Sequence, residues 1–491
     1  MSVFHHIGSW LLDNWLLIVW GINFLAALIL IVAMLLSHLD PVKTVSWMVV
    51  IILLPYFGII LYFFFGQNYR KRKIYSRKGL RDAAVMDTLG KKQILQLKVT
   101  DWEDVDKVAE HKNIITLLLN NSRALLTKNN RLEVYHTGRD TFAAMKKCIA
   151  AATDSIHLLS YIIEDDSIGN EFKDLLIQKA EDGVEVRVLY DDVGSWHLSK
   201  RYVKELRAAG VEVYSFAKVV FPWSARTLNY RNHRKILVID GTVGFLGGVN
   251  IADRYMNGND YGHWRDTHLR IEGQAVHSLQ ATFLLDWFFV SKKQLGQRQR
   301  YYPPVSTDME QYVQIVPSGP DSDWASIMQA YFSAISRAKE HIYILSPYFT
   351  PNNSILSAIK IASLSGVDVR LMLPKKSDAK LTYWSTLSYV SELLEAGVKI
   401  YLYQNGFNHS KVITVDGSFA AIGSANMDTR SFEHNFEITA MIYDKEITAQ
   451  LEEHIEKDFK NCRLVRRKRW ERRVLWRKFF EGFARLLSPL L

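Results

Sequence analysis

The feature that most constrains this chain is a pattern written twice. Residues 232–250 read Asn-His-Arg-Lys-Ile-Leu-Val-Ile-Asp-Gly-Thr-Val-Gly-Phe-Leu-Gly-Gly-Val-Asn, and residues 408–426 read Asn-His-Ser-Lys-Val-Ile-Thr-Val-Asp-Gly-Ser-Phe-Ala-Ala-Ile-Gly-Ser-Ala-Asn. In both, Lys follows His by two positions, Asp follows Lys by five, Gly follows Asp by seven, and Asn follows that Gly by three. A β-branched run ending in Asp-Gly is a strong hairpin signal. Strand side chains alternate faces, so His233 and Lys235 share one face, as do His409 and Lys411, while Asp240 and Asp416 face away at the turn. We read each His-Lys pair as chemical and each Asp as a turn or orienting residue. Asn250 and Asn426, with Ser424, sit at exits of small residues suited to a phosphate-sized group.

A neutral imidazole is a base or nucleophile, and an imidazolium is an acid. Lysine binds phosphate as a point charge. Two such pairs can run a displacement at phosphorus through a phosphohistidine, with the second histidine protonating the leaving oxygen. Two lysines and two amides can balance the charge with neither metal nor cofactor. One His-x-Lys alone would read as an ordinary strand histidine; the matched repetition decides for chemistry.

The two stretches resemble the paired signatures of the phospholipase D superfamily. Tyr230-Arg-Asn-His-Arg-Lys235, Trp264-Arg-Asp-Thr-His-Leu-Arg-Ile-Glu-Gly273, Pro55, Gly58, Tyr62, Phe65 and Gly66 extend the likeness to the bacterial cardiolipin synthases over nearly the whole chain. The resemblance implies reversible phosphatidyl transfer between two phosphatidylglycerol molecules, with release of glycerol, at the bacterial inner (cytoplasmic) membrane. One departure is Gly248 where the second motif has Ser424.

Repetition extends beyond the motifs. Ile342–Ser346 parallels Ile156–Ser160, Gly366-Val-Asp-Val-Arg370 parallels Gly183-Val-Glu-Val-Arg187, and Ala396-Gly-Val-Lys-Ile-Tyr401 parallels Ala209-Gly-Val-Glu-Val-Tyr214. Strands alternating with helices indicate a mixed or parallel sheet covered by helices. The expected fold class is α/β: two similar phospholipase D-like halves, residues 131–295 and 305–460, related by a pseudo-two-fold axis that places both His-Lys pairs in one cleft. A polar helical segment, residues 74–130, precedes them, and a linker rich in Gln, Lys and Pro separates them.

A working imidazole needs its second nitrogen held by an acceptor. Asp266 lies 33 residues after His233, and Glu437 lies 28 after His409; these are the candidate orienting carboxylates. His263, His268 and His434 read as structural. Trp223 and Trp264 read as core or rim residues that could also line a lipid entry.

No charged residue falls between Asp13 and Asp40 or between Lys43 and Arg70. Each gap exceeds the roughly 20 residues a bilayer core requires, which predicts a transmembrane helical hairpin within residues 1–73, not a signal peptide. Arg70-Lys-Arg-Lys73 predicts a cytoplasmic catalytic body. The net charge is +10. Residues 463–485 hold ten Lys or Arg and two Glu, and residues 70–78 hold six basic residues and no acid, which leaves 10 − 8 − 6 = −4 elsewhere. A body that is not basic argues against nucleic acid, and cations beside apolar segments favour anionic lipid. Cys148 and Cys462, far apart in sequence, suggest no disulfide framework. In the tail, residues 461–491, Trp476, Phe479, Phe480, Phe483 and Leu487 recur at helical spacing among arginines. They read as an interfacial helix, or as a helix packed on the body.

The sequence thus predicts a phosphatidyltransferase with His233, Lys235, Asp240, His409, Lys411 and Asp416 as its catalytic set. A hydrolase of the same superfamily and a non-enzymatic membrane scaffold are the competing readings. Acyl preference, use of phosphatidylethanolamine as second substrate, oligomeric state and the identity of the attacking histidine are not encoded legibly, with a lean toward His233.

Overall fold

The computed structural model describes residues 14–36, 41–62, 93, 108–218, 230–293, 295 and 299–488. The chain forms two compact units, residues 1–74 with 221–229, and residues 75–220 with 230–491.

In the first unit, Trp15–Leu36 is an uncharged 22-residue helix with mean hydropathy 2.7. At 1.5 Å per residue it is about 33 Å long, enough for a hydrocarbon core of about 30 Å. The second apolar stretch is not one continuous helix. It runs as Pro41–Leu53, breaks, and resumes as Phe57–Leu61. Tyr56 takes a left-handed φ of 68° at the break. A Cβ on Gly58 would lie 2.5 Å from the Val50 carbonyl oxygen, so only glycine fits the bend. Pro55 and Gly58 therefore divide the segment. Among the described residues, Trp15–Leu36 is the one helix both long and apolar enough to cross a membrane; Arg70–Lys73 lie outside them.

Among the described residues the second unit holds two large sheets and one short strand pair. The first comprises β2 (Asn130–Thr137), β3 (Ser155–Ser160), β4 (Glu185–Asp191), β5 (Glu212–Phe216), β6 (Ile236–Ile239), β7 (Val243–Gly247) and β8 (His263–Gly273). Its order is β8-β7-β6-β3-β4-β5, with β2 on the other side of β8. The second sheet begins with the short β1 (Leu126–Thr127) and continues with β9 (Val313–Ser318), β10 (His341–Leu345), β12 (Asp368–Pro374) and β13 (Lys399–Tyr403). β15 (Val412–Val415), β16 (Phe419–Gly423), β18 (Glu437–Ile442) and β19 (Cys462–Leu464) complete it. The short pair β11 (Phe349–Thr350) and β17 (Met427–Asp428) stands apart. The second sheet's order, β9-β18-β16-β15-β10-β12-β13, matches β2-β8-β7-β6-β3-β4-β5 strand for strand. In both, the last three strands run parallel and the others antiparallel. Gly183 and Gly366, at φ 88° and 98°, turn the chain from a helix into the equivalent strands β4 and β12, a conformation that glycine adopts without steric cost.

The halves are not separate bodies. One core cluster joins Leu189, Leu246, Leu269 and Trp287 of the first half to Ile315, Met372, Ile422 and Ile438 of the second. Strand β14 (Gly406–Asn408) leaves its own half and pairs in parallel with β8. The described end of the segment read as a polar connector is also built in, because Ile114, Ile115, Leu118 and Leu119 of the helix Lys112–Ser122 are buried in the second-half core.

Candidate active site

The hairpins form where the Asp-Gly signal places them, as β6–β7 and β15–β16. Asp240 and Asp416 occupy the turns with φ 52° and 50°. The Asp240 carboxylate accepts hydrogen bonds from the backbone N–H groups of Thr153, Asp154 and Ser155 at 2.8–2.9 Å. That of Asp416 accepts from Lys339, Glu340 and His341 at 2.8–2.9 Å. Seven residues of extended chain put each about 20 Å from its histidine. Grouping Asp240 and Asp416 with the catalytic set is therefore corrected: they fasten the far end of each hairpin to the start of β3 or β10 and do not touch the imidazoles.

Each histidine lies just before its hairpin and is held by the other half. The backbone N–H of His233 donates to the Phe436 carbonyl at 2.9 Å, and that of His409 to the Arg265 carbonyl at 2.8 Å. This docking crosses the carboxylates. Nδ1 of His233 is 3.0 Å from both carboxylate oxygens of Glu437, and Nδ1 of His409 is 2.7 Å from Oδ2 of Asp266. The sequence separations had paired Asp266 with His233 and Glu437 with His409. The structure reverses that pairing, because β8 and β18 each run beside the other half's histidine.

Both carboxylates are fully buried. Glu437 accepts a short hydrogen bond from the Ser424 hydroxyl and one from the Asn435 amide. Asp266 accepts from the Thr267 N–H at 2.8 Å. At Gly248, the counterpart of Ser424, a Cβ would lie 2.0 Å from Oδ1 of Asp266. The Gly/Ser departure is therefore steric.

Nζ of Lys235 donates to the His233 carbonyl at 2.7 Å and stands 5.2 Å from the Tyr161 ring centre. Nζ of Lys411 bonds the His409 carbonyl and lies 3.0 Å from Nδ1 of His409. Burial pushes Lys235 down to about 7 and Lys411 to about 8, against the pull of Glu437 and Asp266. Burial likewise draws His233 down to about 4, opposed by Glu437, and His409 well below the ordinary range, with Lys411 adding to the fall. Burial alone would raise Glu437, but His233 and Lys235 hold it below the usual value; for Asp266 burial wins and the value rises. The charge of Lys411 reaches His233 and that of Lys235 reaches His409, so the two pairs share one electrostatic site.

The Asn250 amide accepts from the Ile162 N–H at 3.2 Å and donates to the Tyr255 hydroxyl at 2.6 Å. Asn426 is buried, and among the described residues its side-chain Oδ1 has no hydrogen-bond partner. Trp264 is 2% exposed, with its ring 5.4 Å from His409, which makes it a wall of the site. Trp223 lies outside the described residues. His268 accepts the Val249 N–H through Nδ1, and burial draws it down to about 3. Sequence reasoning missed Tyr161, whose ring packs edge-on to His233 at 4.8 Å. It also missed the buried pair Arg234–Asp286 at 2.6 Å. Arg234 additionally donates to the Glu437 carbonyl at 3.1 Å. The signal for Tyr161 was its place directly after the β3 segment that repeats before Pro347-Tyr348. Among the described residues no cluster of three or more His, Cys, Asp or Glu could hold a metal ion.

Two sheets of one topology, each presenting a His-x-Lys pair to a shared buried centre, define a two-motif phospholipase D-like protein. A sequence profile described as cardiolipin synthase, PLD-like domain, matches residues 145–287 and 331–459, and one described as phospholipase D-nuclease N-terminal matches residues 21–67. A cardiolipin synthase of Halalkalibacterium halodurans is 43% identical over 93% of this chain and 90% of its own. One of Alkalihalophilus pseudofirmus is 40% identical over 99% and 96%. The major cardiolipin synthase of Bacillus subtilis is 41% identical over 96% and 97%. The chain belongs to the cardiolipin synthase family of the phospholipase D superfamily. Its fold is shared with the crystal structure of a Haemophilus influenzae phosphatidylserine synthase at TM-score 0.59 and 15% identity, covering 79% of this chain and 100% of that one.

Proposed function

We propose that this protein makes cardiolipin by transferring a phosphatidyl group from one phosphatidylglycerol to the headgroup hydroxyl of a second, releasing glycerol. The observation that carries the reading is the crossed pair of buried His–carboxylate contacts, His233–Glu437 and His409–Asp266, each with a lysine beside it.

Each carboxylate accepts the Nδ1 proton of its imidazole and fixes the tautomer with a bare Nε2 lone pair. One Nε2 attacks phosphorus, and the P–O bond to glycerol breaks. The second histidine, as imidazolium, gives its proton to the departing alkoxide. The neutral histidine then takes the proton of the second lipid's hydroxyl, whose oxygen attacks the phosphohistidine and frees the first imidazole. Lys235 and Lys411, with Asn250 and Asn426 at the hairpin exits, neutralise and orient the phosphoryl oxygens. A bound phosphodiester raises the pKa of the lysines and of the acid histidine, which restores the charges that burial suppresses. Water in place of the second lipid would give hydrolysis.

The matched strand orders support a pseudo-two-fold axis through this centre. The Trp15–Leu36 helix supports membrane attachment, and the kinked second segment could complete a hairpin with the body on the cytoplasmic side. The test is thin-layer analysis of products from one labelled phosphatidylglycerol. Cardiolipin plus glycerol is expected, and phosphatidic acid alone would assign the hydrolase reading.

A further inference from the structure

The helix Leu475–Leu486 is packed on the body and yet leaves its apolar stripe uncovered. Its inner face is fixed. Glu481 and Ala484 are buried, Arg473 bonds Glu481 at 2.7 Å, Arg485 bonds Glu392 at 2.6 Å, and the ring of Trp384, on the helix Lys380–Ser388, lies tilted 6.2 Å from Trp476 and 6.4 Å from Phe480. The outer face shows Leu475 at 80%, Phe479 at 71%, Phe483 at 52% and Leu486 at 77% exposure. Soluble proteins rarely display so large a contiguous apolar patch without a partner. Around it Arg466, Arg467, Lys468, Arg469, Arg472, Arg477 and Lys478 are exposed, and Glu471 is the one exposed acid between residues 466 and 486.

We propose that this helix is a bilayer-docking plate that rests on anionic phospholipid and holds the mouth of the active site at headgroup depth. A rigid amphipathic helix with cations at its rim inserts its apolar face roughly 5–10 Å into the interface, and each basic residue near an anionic surface adds attraction. The charge pattern fits a phosphate-rich surface better than a second copy of this chain, whose body carries a net negative charge only diffusely. The plate is continuous with the site. Residues 375–379 lead directly into the helix Lys380–Ser388, on which it rests. Their Asp378 accepts from the Tyr348 hydroxyl at 2.6 Å and acts on both His409 and Lys411. Lys375, Lys376 and Lys380 are exposed along that edge. The equivalent segment after β4 carries Trp196, 70% exposed.

The docking rests on the lipid-transfer reading only for why lipid must reach the site, and its test needs no turnover. Full-length protein carrying Cys148→Ser and Cys462→Ser is reconstituted in phosphatidylglycerol-containing vesicles with a nitroxide at Phe479→Cys or, as an exposed control on another helix, Glu453→Cys. The expected result is a label at 479 that collides with oxygen and is shielded from a water-soluble nickel chelate, with the reverse at 453. Equal nickel access at both sites overturns the proposal, and so does a 479 label shielded from both reagents, which would mean a protein cover. Phe479→Glu with Phe483→Glu should lower kcat/KM on vesicles roughly tenfold or more, from the lost burial of two aromatic rings, and leave turnover in mixed detergent micelles unchanged. Equal losses in both also overturn it. Product identity is read separately, so failure of docking leaves the transfer reading standing.

Discussion

His409 of the second half is held 2.7 Å from Asp266 of the first. Its counterpart, His233, is held by Glu437 of the second, so neither half holds both members of either His–carboxylate pair. Orientation of each imidazole depends on the docking of the two sheets. Glu437→Gln should therefore change the ring-nitrogen NMR signals of His233 and leave those of His409 nearly fixed, and Asp266→Asn should do the opposite. Each should cost roughly a hundredfold or more in kcat, since an amide can impose the wrong tautomer. Perturbation of the histidine in the same half instead would refute the crossed arrangement.

The two motifs differ at Gly248 and Ser424, and substitution should expose the difference. A methyl at 248 would stand 2.0 Å from Oδ1 of Asp266 and must displace the carboxylate from His409. We expect Gly248→Ala to lose at least a hundredfold in kcat with the fold retained by circular dichroism. Ser424→Ala removes one charge-assisted hydrogen bond to Glu437. Such a bond is worth about 1.5–3 kcal/mol, so the loss should be roughly ten- to a hundredfold. Equal tolerance at the two positions would contradict the steric account.

These contacts mark where sequence reading stops. The repeat was legible because chemistry-bearing residues recur at fixed spacing on fixed strand patterns. Asp266 and Glu437 were legible as candidate partners because imidazole needs an acceptor. Their pairing was not, because residue separation favours partners within a half, while the choice is made by β14 joining β8 and by residue 232 pairing with residue 436. The helix Lys112–Ser122 lies in a stretch that reads as helical, but its buried Ile114–Leu119 face was not legible, because Asn and Lys at its ends make the stretch read as polar. Pro55 and Gly58 left both a kink and a tolerated continuous helix open, and nothing in the sequence marked the left-handed backbone at Tyr56.

Asp240 and Asp416 should behave as fasteners. Asp240→Ala leaves three backbone N–H groups without their acceptor, at a cost of about 2–4 kcal/mol. The expected outcome is a lower denaturation midpoint for Asp240→Ala and for Asp416→Ala, with the folded fraction keeping specific activity within a few-fold of the parent. Loss of activity in fully folded protein, at the level of His233→Ala or His409→Ala, would return these aspartates to the chemistry. Each histidine variant is expected to abolish product formation from labelled phosphatidylglycerol.

The pH profile follows from the buried charges. In the free enzyme His233, drawn down to about 4, is neutral at pH 7 and available as nucleophile or base. Its availability falls only as pH drops toward 4. Lys235 and Lys411, at about 7 and about 8, lose their protons as pH rises through that range. With them goes the positive charge that receives a phosphodiester. Because the lysines feel each other, the limb belongs to the pair. kcat/KM, which reports free-enzyme ionisations, should therefore decline gradually as the acid histidine, held below the ordinary imidazole range, loses its proton, and fall more steeply with an apparent pKa between about 7 and 8 as the lysines lose theirs. The kcat profile should extend further into alkali, since bound phosphodiester holds the lysines protonated. An alkaline limb of kcat/KM lying above pH 9 would mean that the two lysines remain well solvated and do not share a buried site with the histidines.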